Sequence, residues 1–348
     1  PMAGPSEERE GTSYRYTTYY IIYAKQIQQP EGYDQWKIYQ SLITYKQKLE
    51  PPEEKETLTV SESELTHDTP SLFFGTDPDK QEEPYPAYAG GADNIVFCGN
   101  SAGGNVYDLF QFSENNPYFL QITQGCFHIT LPCYINVAAQ PQNFVYSDRS
   151  GFVHLIDISN KNDIQITSSS GNLHPTINTR GSIIAYANNG IYTVRTDGTI
   201  TPIQIDSAFA SDYPEFSPDG FFVLYKKNND IYARRADCSS EPTRLTYTSS
   251  VYGDIRFSPQ AQEIVFTGIS NSQKHIFRCP VHISLTGSIS ITAGSPVDLT
   301  PLTSDNYQPA WSCDGSTIVF ISTRNKIAEL WLMNRDGTGQ RTILFSSS

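Results

Sequence analysis

Tyr213-Pro214-Glu215-Phe216-Ser217-Pro218-Asp219-Gly220 runs directly into Phe221 and then the apolar run Phe222-Val223-Leu224-Tyr225. The first half has strand-forming residue types, and Ser-Pro-Asp-Gly is turn chemistry. Pro fixes φ at the first corner, Asp bonds its own backbone, and Gly takes φ > 0. The apolar run that follows is a second, buried strand. The unit therefore reads as a tight β-hairpin. It recurs as Ile255-Arg256-Phe257-Ser258-Pro259 ahead of Ile264-Val265-Phe266, and as Pro309-Ala310-Trp311-Ser312-Cys313-Asp314-Gly315 ahead of Ile318-Val319-Phe320.

Working outward, the apolar run ending in an aromatic appears in seven copies. The others are Tyr20-Ile21-Ile22-Tyr23, Ile95-Val96-Phe97, Phe144-Val145-Tyr146 and Ile183-Ile184-Ala185-Tyr186. A further short strand follows each, as at Phe152-Val153, Ile191-Tyr192, Ile231-Tyr232, Ile276-Phe277 and Leu330-Trp331. A last element often ends in an apolar-Thr pair, as at Ile166-Thr167, Leu245-Thr246 and Leu299-Thr300. Most copies lie roughly 40 to 50 residues apart, the spacing of propeller blades. A four-stranded unit with two apolar faces cannot bury both alone, whereas radial packing buries them. The expected fold class is all-β: a β-propeller of four-stranded antiparallel blades, with seven favoured and six as the rival. The blades are expected at about 12–60, 85–124, 132–168, 174–206, 213–247, 254–300 and 307–346. Residues 1–11 read as a tail, and 50–84, rich in Glu, Pro, Asp and Thr, as an exposed acidic insertion with a stray strand at Ser71-Leu72-Phe73-Phe74.

Composition agrees. Twenty-two Tyr and 18 Phe in 348 residues suit half-buried pleated surfaces. The net charge of −13 does not attract phosphate backbones or anionic lipid over the whole surface, so nucleic acid is not an expected partner. No apolar run reaches 18 residues, so no membrane-spanning helix is expected. The six Cys form no CxxC pair. Zinc-ribbon and thioredoxin readings lack support, and free thiols are expected, with Cys126 and Cys133 the nearest pair. Pro1 ahead of Met2 reads as a tag remnant, which leaves open a native leader upstream.

The repeat resembles that of the TolB-like (Pro-Asp repeat) β-propeller superfamily, built around Pro-x-[Phe/Trp]-Ser-Pro-Asp-Gly. The last copy matches best, with Ser322-Thr323-Arg324, Leu330-Trp331-Leu332-Met333 and Arg335-Asp336-Gly337. The resemblance covers nearly the whole chain, and its specific motifs lie in the last third. It implies a propeller and, for function, a protein or peptide partner, with glycan binding as the alternative; some members are gating domains of peptidases. It also implies an extracytoplasmic location, which the Asn/Thr/Ser/Tyr-rich composition fits.

Three sets of residues are candidate sites. Gly99-Asn100-Ser101-Ala102-Gly103-Gly104 fits the G-x-S-x-G nucleophile elbow, which needs a strand-to-helix turn and an upstream oxyanion loop. Here Asn105-Val106-Tyr107-Asp108-Leu109-Phe110 continues as a repeat strand, so the segment reads as a hairpin loop and no catalytic residue is assigned. His67, His128 and His174 precede Pro70, Pro132 and Pro175 in connections between blades. They are the candidate ligands if a metal ion such as calcium or manganese binds, as in lyases resembling the family, but they stand at different offsets from their prolines, so no metal or other cofactor is assigned. Finally, Asp68, Asp212, Asp254 and Asp305, with Tyr85, Tyr213, Tyr252 and Tyr307, recur in the same connections. Arg149, Lys226 and Arg324 fall on the facing ones. Turn Asp satisfies loop N–H groups. Together these residues also make a rim suited to a cationic peptide or a sugar.

Overall fold

The computed structural model describes backbone strands along most of the chain. It describes side chains over residues 144–342, apart from 149, 158–159, 161, 198–200, 286–288, 302–303, 313–314 and 327–328. Among the described residues every regular element is a β-strand. The chain divides into two compact units, Pro1–Phe127 with Thr342–Ser348, and His128–Arg341.

In the first unit, Tyr14–Gln28 and Asp34–Lys48 pair antiparallel along their whole length, with Tyr23 opposite Tyr39. Lys55–Glu64, inside the segment read as an insertion, adds a further strand to Asp34–Lys48. A separate four-stranded sheet contains Ala87–Gly91, Asn94–Gly99, Asp108–Ser113 and Asn116–Gln121. Ser71–Phe74 lie outside the described residues.

The second unit holds five successive antiparallel sheets, each a meander of consecutive strands. The first contains Cys133–Tyr134, Asn143–Ser147, Val153–Asp157 and Asn162–Gln165. The second contains Leu173–Ile177, Ile183–Ala187, Ile191–Arg195 and Ile203–Asp206. The third contains Asp212–Phe216, Phe222–Lys227, Asp230–Arg235 and Thr243–Arg244. The fourth contains Val251–Phe257, Glu263–Ser270, Gln273–Ser284 and Ser290–Ala293, and Val297–Asp298 also pairs with its third strand. The fifth contains Asn306–Trp311, Thr317–Ser322, Glu329–Asn334 and Arg341–Thr342.

The second, third and fourth sheets each bury both faces against their neighbours, because alternate side chains on a strand point to opposite sides. Val223 packs with Ala187, Ile191 and Ile205 of the second sheet, while the next residue, Leu224, packs with Ile255, Ile264 and Phe266 of the fourth. Val265 and Ile276 pack with Trp311, Ile318, Phe320 and Trp331 of the fifth. Val145 and Val153 pack with Ile177, Ile184 and Tyr186. Complete burial of each such side chain stabilises by roughly 1.5–3 kcal/mol. The first strands of successive sheets adjoin one another and form the hub of this arrangement.

The turns explain why weak copies still fold alike. In the third sheet, Gly220 N donates to Ser217 O at 2.8 Å, Phe221 N to Asp219 Oδ1 at 3.0 Å, and Gly220 sits at φ +75°. The second sheet lacks the signature, yet Gly181 N reaches Asn178 O at 2.8 Å, and Asn178 Oδ1 accepts Ser182 N and Ile183 N. The apolar-Thr pairs have a role too. Thr167, Thr246 and Thr300 are buried, and each hydroxyl oxygen accepts the backbone N–H of Val153, Ile231 or Ile276 at 2.9 Å. In the second sheet Asp206 takes the threonine position and binds Ser211 Oγ, Ala208 N and Lys227 Nζ instead.

Candidate functional site

The sheet topology defines two ends. At one, here called the entry end, first and third strands begin and second and fourth strands finish. Four first strands carry the same irregularity there: three residues advance on the first strand while two advance on the second. The extra residue is left-handed in each: His174 (φ 48°), Tyr213 (φ 53°), Asp254 (φ 55°) and Gln308 (φ 52°). None is glycine, so each costs on the order of 1–2 kcal/mol of local strain. Strain of this kind persists only where surrounding structure fixes it, and it concentrates at ligand sites.

Here each strained residue is tied to a neighbouring sheet. His174 Nδ1 donates to Asp212 Oδ1 at 2.6 Å, and its ring stacks on Tyr213 at 4.4 Å and 16°. Tyr213 N donates to Asp212 Oδ1 at 2.7 Å. The Tyr213 ring lies over Gly253, where any added Cβ would sit 3.1 Å from Cε2 and Cζ. Asp254 Oδ2 accepts Thr267 Oγ1 at 2.8 Å and, from the fifth sheet, Gln308 N at 3.4 Å. Asp305 Oδ1 accepts Lys274 N at 2.8 Å, and the Lys274 ammonium lies 4.2 Å from the Tyr252 ring centre and 5.1 Å from that of Tyr307. Lys226 stands 6.0 Å over Tyr213.

The electrostatics follow from this wiring. Burial works against the Asp212 carboxylate, but the His174 hydrogen bond and charge, the Tyr213 N–H and Lys226 hold its pKa below the usual range. Burial, reinforced by Asp212, Asp254 and Tyr252, pushes the Tyr213 phenol up to about 12. Its hydroxyl therefore stays protonated and able to donate across the physiological range.

The structure thus brings His174, Asp212, Tyr213, Lys226, Tyr252, Asp254, Asp305 and Tyr307 to the entry ends of the second to fifth sheets. Arg324 joins them through Asn306, whose Oδ1 accepts Arg324 Nη2 at 3.2 Å. His67, Asp68, Tyr85, His128 and Arg149 lie outside the described residues. Asp212, Asp254 and Asp305 each accept a backbone N–H. Among the described residues no three His, Cys, Asp or Glu gather as a metal ligand set. Cys238 and Cys279 are free thiols, the second buried, and burial pushes it up to about 11. Around Ser101, Asn94–Gly99 pairs antiparallel with Asp108–Ser113, Gly99 opposite Asp108. The next described element is thus a strand, and residues 100–107 lie outside the described residues.

The sequence pattern missed the exposed apolar side chains. Phe209 is 82% and Tyr247 75% exposed, and Leu173, Tyr252 and Ile269 are also exposed at the entry end. Phe209 and Tyr247 follow the Ile205-Asp206 and Leu245-Thr246 pairs, the one signal that places them in inter-sheet loops.

No protein-family model matches the chain, and no curated protein matches it. Solved structures do. TolB from Acinetobacter baumannii is 16% identical with a TM-score of 0.52, over 92% of this chain and 78% of that one. An oligogalacturonate lyase from Vibrio parahaemolyticus is 12% identical with a TM-score of 0.55, over 79% and 84%. The β-propeller domain of Myceliophteria thermophila Cps50 (Swd1) is 10% identical with a TM-score of 0.58, over 74% and 85%. These identities carry the fold and nothing finer. The antiparallel sheets, those of the second unit packed face to face in chain order, and these likenesses together give the chain a TolB-like β-propeller fold.

Proposed function

We propose that the chain is a non-catalytic binding scaffold, a propeller of seven blades whose entry end receives a protein or peptide partner. One observation carries this reading. Leu173, Phe209, Tyr247, Tyr252 and Ile269 are exposed at the entry end, and Phe209 and Tyr247 there are more exposed than Ile164, Ile203, Leu285 and Val297, the other exposed large apolar residues among those described. Clustered exposed apolar side chains, rimmed by charge, mark interaction surfaces. The hub wiring holds the first strands rigid beneath them, which limits the entropy lost on binding. Partner chemistry at a propeller end also suits the loops, which vary without disturbing the sheets.

The test is comparative capture from an extract of the native source. The wild type and Asp336→Lys, altered at an exposed turn of the opposite end, are expected to retain the same proteins. Phe209→Asp/Tyr247→Asp is expected to lose them. Retention by all three would defeat the proposal. A second reading, carbohydrate binding or metal-assisted processing, draws on the phenol faces of Tyr213, Tyr252 and Tyr307. A glycan array with metal analysis separates the two, since bound metal and turnover of a uronic-acid polymer would favour the second.

A further inference from the structure

Several cations in the second unit are matched to carboxylates. Lys227 meets Asp206 at 2.6 Å, Arg244 meets Asp230 at 2.6 Å, Arg235 meets Asp237 at 2.8 Å, and Arg335 meets Glu263 at 2.7 Å. Three half-buried cations of the entry end, Lys226, Lys274 and Arg324, depart from this pattern. Neither Arg324 nor Lys274 has a carboxylate within ion-pair distance among the described residues. They flank the same segment, residues 305–307. Lys274 lies over the Tyr307 ring and Arg324 holds the neighbouring Asn306.

Arg324 is held with unusual care for a surface arginine. Its guanidinium lies 4.0 Å from the Trp331 ring centre. Nε donates to Ser322 Oγ at 2.9 Å, and Nη2 to Gln340 Oε1 at 2.9 Å and Asn306 Oδ1 at 3.2 Å. Both amides are themselves fixed. Gln340 Nε2 donates to Leu299 O and Gly337 O, and Asn306 Nδ2 donates to Ser304 O. Every described partner is neutral, and Nη1 has none among the described residues. Burial alone lowers the guanidinium below its ordinary value, with no described anion to offset it. In a chain of net charge −13, a desolvated, oriented arginine with no counter-ion among the described residues is a feature to be explained. A planar fork held in one orientation matches a carboxylate.

We propose that Arg324 and Lys274 form a subsite for a carboxylate side chain of the partner, so that the segment docking on the entry end is acidic. This rests on the binding role proposed above and specifies the partner's chemistry. The aromatic platforms under both cations hold them in place while leaving their polar edges to the ligand.

The probe is hexaglutamate peptide, with hexalysine and hexaserine as controls, followed by calorimetry and by the indole N–H resonance of Trp331. Hexaglutamate is expected to bind the wild type, to shift that resonance, and to weaken as salt rises. Arg324→Gln and Lys274→Gln are each expected to weaken binding by about tenfold or more, the loss of one charge-assisted pair. Lys274→Gln removes no stacking partner from the core, so it reports even where Arg324→Gln unfolds the fifth sheet. Absence of hexaglutamate binding, equal binding by both variants, or preference for hexalysine would overturn the proposal. If the Gln variants still capture native-source partners that Phe209→Asp/Tyr247→Asp loses, the acidic subsite fails while the binding role stands.

Discussion

Gly253→Ala is the sharpest perturbation of the hub wiring. The added Cβ would lie 3.1 Å from Tyr213 Cε2 and Cζ and 3.3 Å from Cδ2. Comfortable carbon contacts lie at about 3.5–4.0 Å, so the ring must retreat by several tenths of an ångström. It cannot retreat freely, because His174 stacks on it at 4.4 Å and is itself bound to Asp212. Overpacking of this kind costs about 1–3 kcal/mol. Gly253 has no left-handed backbone, so alanine recovers about 0.4–1 kcal/mol through the unfolded chain. The expected net loss is about 1 kcal/mol, or roughly 2–4 °C in Tm for a unit of this size. Tyr213→Ala removes the obstacle, so in a double-mutant cycle the added methyl should cost nothing on that background. The coupling should be about 1 kcal/mol or more by urea denaturation. Additive effects, or a Gly253→Ala protein more stable than wild type, would refute the claim that Tyr213 is clamped between two sheets.

Other outcomes follow from the same structure. Thr246→Val should cost about 2–4 kcal/mol, since it orphans the buried Ile231 N–H and removes a donor from Asp230, whereas Thr246→Ser should cost about 1 kcal/mol; urea midpoints compare them. Asp206, Asp212 and Asp230 all titrate below the usual range, because hydrogen bonds and neighbouring cations outweigh burial. Their folded pKa values lie below the unfolded value of about 3.9, so their stabilisation is complete above that pH and is lost as pH falls through the folded values. Thermal midpoints should therefore drop steeply only below about pH 4, and the gap between wild type and Asp230→Asn should close there. Ser101→Ala should leave nitrophenyl acetate hydrolysis at the buffer rate, as for the wild type; a rate that falls on substitution would revive the elbow reading.

The turns and strand order were legible because Ser217-Pro218-Asp219-Gly220 states its geometry locally. Asn178-Thr179-Arg180-Gly181 makes a related turn without the signature, because the Asn178 side-chain oxygen accepts the N–H groups of Ser182 and Ile183. The left-handed positions were not legible. His174, Tyr213, Asp254 and Gln308 carry no common residue type, and their backbone is imposed by the neighbouring sheets. The sequence pattern placed His174, Asp212, Tyr213, Asp254 and Asp305 in inter-blade connections, yet it could not assign partners 38 or 54 residues away, such as His174 with Asp212 or Asp254 with Gln308. Exposure of Phe209 and Tyr247 was equally hidden, since an aromatic after a strand reads the same whether it caps the core or faces water.

Hydrogen–deuterium exchange on the chain bound to a partner captured from its native source tests the account most directly. Slowed exchange at 207–213, 247–254, 269–275 and 305–307, with 178–182, 217–221 and 258–262 unchanged, is the predicted footprint. Slowing confined to the second set would place the partner on the other end and contradict the account.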